Sequence, residues 1–266
     1  MSYSEQADFD EKINALVQMR ARFEKYEMMQ NISTANTLEI GGAGGILAGL
    51  LSREVNHIIV SDVVDSQTLY KGEFPSLLKA KFQRNSTDFE FKKIEFHVAD
   101  AMDLPYKDNY FDLVVSQNAF EHIPDPSVAL KEAMRVTKKG GLIYLTFDPI
   151  WTADSGNHFM NFVPEPWKHL LCSTEQFCEE MRAAGAHEAQ LDDFRNSLNR
   201  KPASVYGVNF AKLLRSLKVD KFHVENGVGC VNDSYKDHPN RFAAAKVLGC
   251  SPDDLLIRAF HFCIRK

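Results

Sequence analysis

Five residues, Gly41-Gly42-Ala43-Gly44-Gly45, stand directly after the apolar run Thr37-Leu38-Glu39-Ile40 and directly before Ile46-Leu47-Ala48-Gly49-Leu50-Leu51. This reads as strand, glycine turn, helix. A turn so rich in glycine lets backbone approach a ligand closely, and a helix N-terminus comes directly after it. Further apolar runs come at His57–Asp62, Ile94–Val98, Phe111–Val115 and Leu142–Phe147. Between them lie helical patterns: residues 66–93, helical at 78–82 with Pro75 as a break, and 127–136 after Pro124-Asp125-Pro126. Lys138-Lys139-Gly140-Gly141 reads as the end of that second helix. Apolar strands alternating with helices predict a parallel sheet covered on both faces, with ligands outside the strands' carboxyl ends.

An amphipathic helix is expected ahead of this sheet at residues 9–30, on the spacing of Phe9, Ile13, Leu16, Val17 and Phe23, either packed on one face of the sheet or as a lid over a ligand site. After residue 150 the pattern is irregular. Ser173-Thr174-Glu175-Gln176 fits a capping box that opens a helix to about Ala184, and residues 255–264 read as a closing strand. Leu213, Leu214 and Leu217 suggest a short helix, and the amides and aromatics Phe194, Asn196, Tyr206, Asn209 and Phe210 suit either a hydroxylated acceptor or ordinary insertion surface.

The chain has 266 residues, 44% of them hydrophobic, and a net charge of −5, which fits one large globular domain and argues against a partner bound by bulk phosphate neutralisation. No apolar run reaches the ~18 residues of a membrane span. The polar stretch 1–10 does not read as a signal peptide. Five cysteines, an odd number without a C-x-x-C pair, read as reduced cytoplasmic thiols, and no metal-ligand spacing is present.

The glycine turn alone fits dinucleotide, phosphate or nucleoside ligands. A P-loop is excluded because no Gly-Lys-Ser/Thr comes after the glycines. The dinucleotide fingerprint is poorly met: counted from Gly42, Gly44 fits but the sixth position is Leu47. Glu39 repels a pyrophosphate and suits a cation, such as the amino group and sulfonium of S-adenosylmethionine. Asp62 ends the second strand, where an acid accepts from ribose hydroxyls. Asp100 comes after the third strand and suits an adenine amino group, with Ala101 as a backbone donor.

In these residues the sequence resembles the class I, seven-strand S-adenosylmethionine-dependent methyltransferases that act on small molecules. Leu38-Glu39-Ile40-Gly41-Gly42-Ala43-Gly44-Gly45 is similar to their first motif, with Ala43 where the middle glycine stands. Asp62 matches the ribose acid, residues 99–105 the adenine-side loop, and residues 109–116 the fourth-strand motif. His122-Ile123-Pro124-Asp125-Pro126, Arg135-Val136 and Lys139-Gly140-Gly141 match the family's segments between its fourth and fifth strands. The resemblance spans about residues 36–147. It implies a doubly wound, mostly parallel seven-stranded α/β sheet with helices on both faces, an antiparallel last strand, an N-terminal helix and an inserted acceptor or lid region. It implies a cofactor-binding set of Glu39, Gly41, Ala43, Gly45, Asp62, Val63, Asp100, Ala101, Met102 and Ser116. One domain is expected over 1–266: an N-terminal cap at 1–35, a cofactor core at 36–150, acceptor-side insertions at 151–250 and a closing strand at 251–266.

The resemblance also implies an acceptor pocket above the fourth and fifth strands. A hydroxyl acceptor needs a general base. His122 and His158 are the candidates, with Asp148 in support; Glu121 is either a site residue or an exposed helix-start residue. Both tryptophans, Trp151 and Trp167, fall in 151–171 with Phe159, Phe162 and His169, as aromatic lid or as hydrophobic plug. The function expected is methyl transfer from S-adenosylmethionine to a hydroxyl, less readily a nitrogen, of a small molecule, a sugar-containing one among them. The alternatives are an NAD(P)-dependent oxidoreductase and a non-catalytic nucleoside-binding module. A small-molecule acceptor is the expected partner, with no nucleic acid and no membrane. Nothing in the sequence sets an oligomeric state.

Overall fold

A computed structural model describes residues 5–266, so residues 1–4 of the polar N-terminal stretch lie outside the described residues. Five strands run parallel: β1 (Asn36–Ile40), β2 (His57–Asp62), β3 (Ile94–Val98), β4 (Phe111–Gln117) and β5 (Thr137–Phe147). With β6 (Lys221–Val228) and β7 (Ile257–Arg265) they form one sheet ordered β3-β2-β1-β4-β5-β7-β6, in which β7 is antiparallel to both neighbours. The central strands are buried on both faces. Ile58 and Val60, Leu113 and Val115, Leu142 and Tyr144 serve one core, while Ile59, Val114, Ile143 and Leu145 serve the other. That two-sided burial is why their sequences read as unbroken apolar runs.

The helices are α1 (Glu5–Lys25), α2 (Ile46–Leu51), α3 (Ser66–Leu69), α4 (Phe74–Arg84), α5 (Pro126–Val136), α6 (Thr174–Ala183), α7 (Glu188–Asn196), α8 (Phe210–Ser216) and α9 (Pro239–Leu248). Leu16, Met19 and Phe23 of α1 join Leu47, Ala48 and Leu51 of α2 over one face. Helices α5 and α8 cover the other. Phe9 of α1 meets Phe82 of α4 edge to face, which closes the β2–β3 side.

Several boundaries differ from the sequence expectation. The first helix is shifted from 9–30 to Glu5–Lys25; the Met28 amide bonds the Phe23 carbonyl and closes it, while Glu27 takes φ +54°. Pro75 lies in the first turn of α4, where its missing N–H is harmless, and so starts a helix instead of breaking one. Helix α5 stops at Val136, and Lys138-Lys139-Gly140-Gly141 belong to an irregular stretch of β5, which pairs Thr137 with Phe111 and resumes at Leu142. The closing strand begins at Ile257, after a short 3-10 turn over Pro252–Leu256.

Within residues 151–250, α8 and β6 belong to the sheet and its cover, and the stretch from Trp151 to Arg200 builds a satellite beside them. Phe177 and Phe194 stack at 4.5 Å, with Trp151, Phe159, Phe162, Val163, Met181 and Leu191 around them. Arg200 lies over both Trp151 and Phe194. Trp167 is fully buried against Ala244, Ala245 and Leu255. The aromatic run is therefore turned inward, in the manner of a plug. Ser173 and Gln176 make the expected capping box at the start of α6.

Candidate active site

Glycines at the end of β1 do two jobs. Gly41 and Gly45 sit at φ +77° and +69°, a region costly for side chains, and Gly45 caps α2. A Cβ on Gly41 would overlap the Ala119 side chain, and one on Gly42 would overlap the Glu39 carboxyl. The loop thus lies flat on Glu39 and against the segment after β4. Ala43, between them, donates its amide to Asp62 Oδ2 at 3.0 Å, while Asp62 Oδ1 accepts from Val64 at 2.9 Å. Asp62 so ties the β1 loop to the β2 loop.

Above these loops lies a cavity of about 620 Å3. Its walls include Gly41, Asp62, Val63, Asp100, Ala101 and Met102, together with Asn118, Ala119, His122, Asp193, Asn196 and Ser197. Asp100 accepts from the Met102 amide at 2.8 Å, which fixes the turn after β3. The remaining members of the expected set surround the wall. Gly45 packs beneath on Leu78 and Phe96, Ala43 borders a shallow cleft on the far side of Asp62, and Glu39 lies under Gly42. Ser116 is buried behind the wall, where its hydroxyl donates to the Ile40 carbonyl at 2.9 Å and staples β4 to β1.

Two buried carboxyls flank this floor. Burial pushes Glu39 up to about 8, against the pull of Lys12 and a bond to the Ala48 backbone, and its Oε2 has no partner. Burial likewise pushes Glu121 up to about 8, with Asp148 and Glu11 adding to the rise and Lys12 opposing it; neither of its carboxyl oxygens has a partner. Glu121 is only 2% exposed, so it is no solvent-facing helix-start residue. Burial thus favours the neutral form of each carboxyl, and a neighbouring cation would favour the ionised one.

The two histidines meet edge to face at 5.3 Å but differ in use. His122 donates Nδ1–H to the Ser197 carbonyl at 2.9 Å, which leaves the Nε2 lone pair free on a residue of the cavity wall. His158 donates Nε2–H to the Pro149 carbonyl at 3.0 Å, and burial lowers it to about 4, so it is a weak base. Asp148 bonds Arg258 at 3.0 Å, and no bond runs from it to either ring. His122 and Asp148 also border different cavities. Asp148 lines a second, polar one of about 500 Å3 with Gln117, Thr146, Arg258 and residues of α1, and Asn118 belongs to both.

Sequence reasoning offered Asn196 for a hydroxylated acceptor and the first helix as a lid, but missed Glu11 of α1 and Asp193 of α7. Glu11 of α1 accepts from the Gln117 and Asn118 amides at 3.1 and 2.9 Å, at the end of β4. Asp193 and Asn196 of α7, with Ser197, close the cavity opposite Asp62. The signal available for α1 was a cation, Lys12, standing within the stripe Phe9, Leu16, Met19, Phe23. For Asp193 the only local cue was the length of polar sequence in α7.

Residues 38–145 match a family described as a methyltransferase domain. Over 162 residues, 57% of this chain and 45% of the other, the sequence is 32% identical to the 2-methyl-6-phytyl-1,4-hydroquinone methyltransferase of Synechocystis sp.. Over 119 residues, 40% of this chain and 33% of the other, it is 47% identical to the chloroplastic tocopherol O-methyltransferase of Arabidopsis thaliana. The chain thus spans less than half the length of these curated relatives. Among solved structures it is similar to phospholethanolamine N-methyltransferase 2 of Haemonchus contortus, at TM-score 0.53 and 16% identity, covering 98% of this chain and 53% of that one. That likeness is one of fold.

Proposed function

Through residues 38–145 the chain belongs to the class I, seven-strand methyltransferases, and on that premise we propose that it moves the methyl group of S-adenosylmethionine to a hydroxyl of a small molecule. The observation that carries the reading is the buried Glu39 carboxyl, with Oε2 lacking a partner, beneath a glycine loop in which a Cβ at Gly41 or Gly42 would overlap its neighbours. The loop leaves room for a flat backbone approach, and the carboxyl awaits a positive charge. Asp62, Val63 and Gly41 would hold the ribose end, and Asp100, Ala101 and Met102 the adenine. Ala43 and Gly45 shape the loop, and Ser116 supports it from behind.

The cofactor supplies an electrophilic methyl on sulfur; the protein's part is alignment and proton removal. His122 would take the acceptor's proton at Nε2, held in that tautomer by the Ser197 carbonyl. His158 and Asp148 would support the wall, the first by packing on His122 and the second through Arg258. The larger cavity would take both molecules, the cofactor along Gly41, Asp62 and Asp100 and the acceptor at the end that His122 borders. The acceptor side offers Asn118, Asp193, Asn196 and Ser197, a set suited to hydroxyls, sugar hydroxyls included. The relative from Arabidopsis is named for transfer to oxygen, which supports a hydroxyl over a nitrogen acceptor. In this reading all of 1–266 is one domain, with 1–35 as cap, 36–150 as cofactor core, 151–250 on the acceptor side and 251–266 closing the sheet. Five free thiols fit a cytoplasmic site of action; no helix among the described residues is long and apolar enough to cross a membrane.

Calorimetry with S-adenosylmethionine and with NAD tests the cofactor: binding of the first alone is expected, and binding of NAD alone overturns the reading. Once a panel of hydroxylated metabolites yields an acceptor, His122→Ala should slow turnover at saturating cofactor by ~100-fold, the scale of general base catalysis. His158→Ala should leave most of it. Equal rates for His122→Ala and the unaltered protein would remove His122 as the base.

A further inference from the structure

The cavity assigned to the cofactor contains no cation among its described wall residues. Asp62, Asp100 and Asp193 line it, and Lys and Arg are absent. S-adenosylmethionine, on which this inference rests, carries a carboxylate as well as an ammonium and a sulfonium. Acidic walls satisfy the two positive groups and leave the carboxylate without a counter-charge.

Helix α1 holds the missing charge. Its inward stripe, Phe9, Leu16, Met19 and Phe23, is buried. Lys12 falls in that stripe by spacing, three residues after Phe9 and four before Leu16, so it faces the protein and not the solvent. Its side chain is 21% exposed, and its Nζ lies 3.2 Å from Glu11. Glu11 in turn receives the Asn118 amide, and Asn118 is part of the cavity wall. Lys12 is thus linked to the cavity wall through Glu11 and Asn118, and its charge acts on both Glu39 and Glu121.

We propose that Lys12 is a cofactor-binding residue, which pairs with the carboxylate of the methionyl group and so closes α1 over the site. Glu39 takes the positive groups from below and Lys12 takes the carboxylate from above. No covalent step is involved; Lys12 contributes charge and position.

The test compares two ligands that differ by the carboxylate alone. Calorimetry is run with S-adenosylmethionine and with decarboxylated S-adenosylmethionine, which keeps the sulfonium and the amine. The unaltered protein should prefer the intact ligand by about tenfold, the worth of one charged hydrogen bond. Lys12→Ala should abolish that preference by weakening the intact ligand only, and Lys12→Arg should restore most of it. Equal weakening of both ligands, or no weakening of either, overturns the role of Lys12. Failure of the unaltered protein to bind either ligand overturns the cofactor reading instead. Thermal unfolding of each variant without ligand confirms that the comparison is made on folded protein.

Discussion

Burial keeps the Glu39 carboxyl protonated at neutral pH, with its pKa at about 8 and one oxygen left without a partner. A ligand that brings positive charge favours the ionised form, so its binding should release a proton below pH 8. Affinity for S-adenosylmethionine should therefore rise as pH rises toward about 8 and level off above it. Calorimetry in buffers of different ionisation enthalpy reads the proton directly, and Glu39→Gln should bind more weakly and release none. Glu121 raises a separate question of stability. Its folded pKa, also about 8, lies above the usual 4.5, so the folded state holds a proton that the unfolded state has lost between those values. Stability should fall as pH rises through that window. Asp148, Glu11 and Lys12 supply the field at this group. Glu121→Gln should flatten the slope and be more stable at pH 9 by roughly 1–3 kcal/mol, as denaturant unfolding would show. A slope unchanged in the variant would mean that Glu121 titrates normally.

Helix α2 shows how an element's surroundings override its own preferences. Gly49 sits in its interior, where alanine is favoured by about 1 kcal/mol on propensity. Yet a Cβ there would overlap the Phe82 ring of α4, itself stacked on Phe89 and locked edge-on to Phe9. Gly49→Ala should therefore destabilise the protein by about 1–3 kcal/mol, read from a shifted unfolding midpoint, because the ring cannot give way without disturbing three helices' packing. The same contrast explains what was legible in the sequence. Strands β1, β2, β4 and β5 were readable because two-sided burial leaves largely apolar runs, and the edge strand β3 because Ile94, Phe96 and Val98 alternate with polar residues. The capping box at Ser173 and the glycine loop were readable because they are local chemistry. Strand β6 was not: it is an edge strand, half exposed along its length, and Lys221, Glu225 and Asn226 hide its alternation. The end of α5 was misplaced because Lys-Lys-Gly-Gly suits a helix terminus and a bulged strand equally well. At the site, the acids at strand ends were visible one by one. The arrival of Lys12 and Glu11 from α1, and of Asp193 from α7, depends on tertiary packing that no local pattern encodes.

At the scale of the whole molecule, the satellite built from Trp151 to Arg200 is tied to the sheet by bonds from which joint unfolding is predicted. Asp154 is fully buried and accepts from Arg258 of β7 at 3.1 Å, from the Val231 amide at 2.6 Å and from the Ser155 amide at 2.9 Å. Arg258 also reaches Asp148 just past β5. One ion-pair node thus joins the first residues of the addition, the loop after β6 and the last strand of the sheet. Phe147, Tyr206 and Phe260 carry the same join in apolar form, with Tyr206 bonded to Asn199 at 3.0 Å. Breaking a buried pair leaves a charge uncompensated. Asp154→Ala should cost about 3–5 kcal/mol by that mechanism, part of it recovered through Asp148. The decisive observation is the shape of the transition. If the satellite and the sheet are one cooperative unit, calorimetric unfolding gives a single peak in the unaltered protein and a single, lower peak in Asp154→Ala. Two peaks in the unaltered protein, with only one of them moved by the substitution, would divide the chain into two domains and make the acceptor side an independent module.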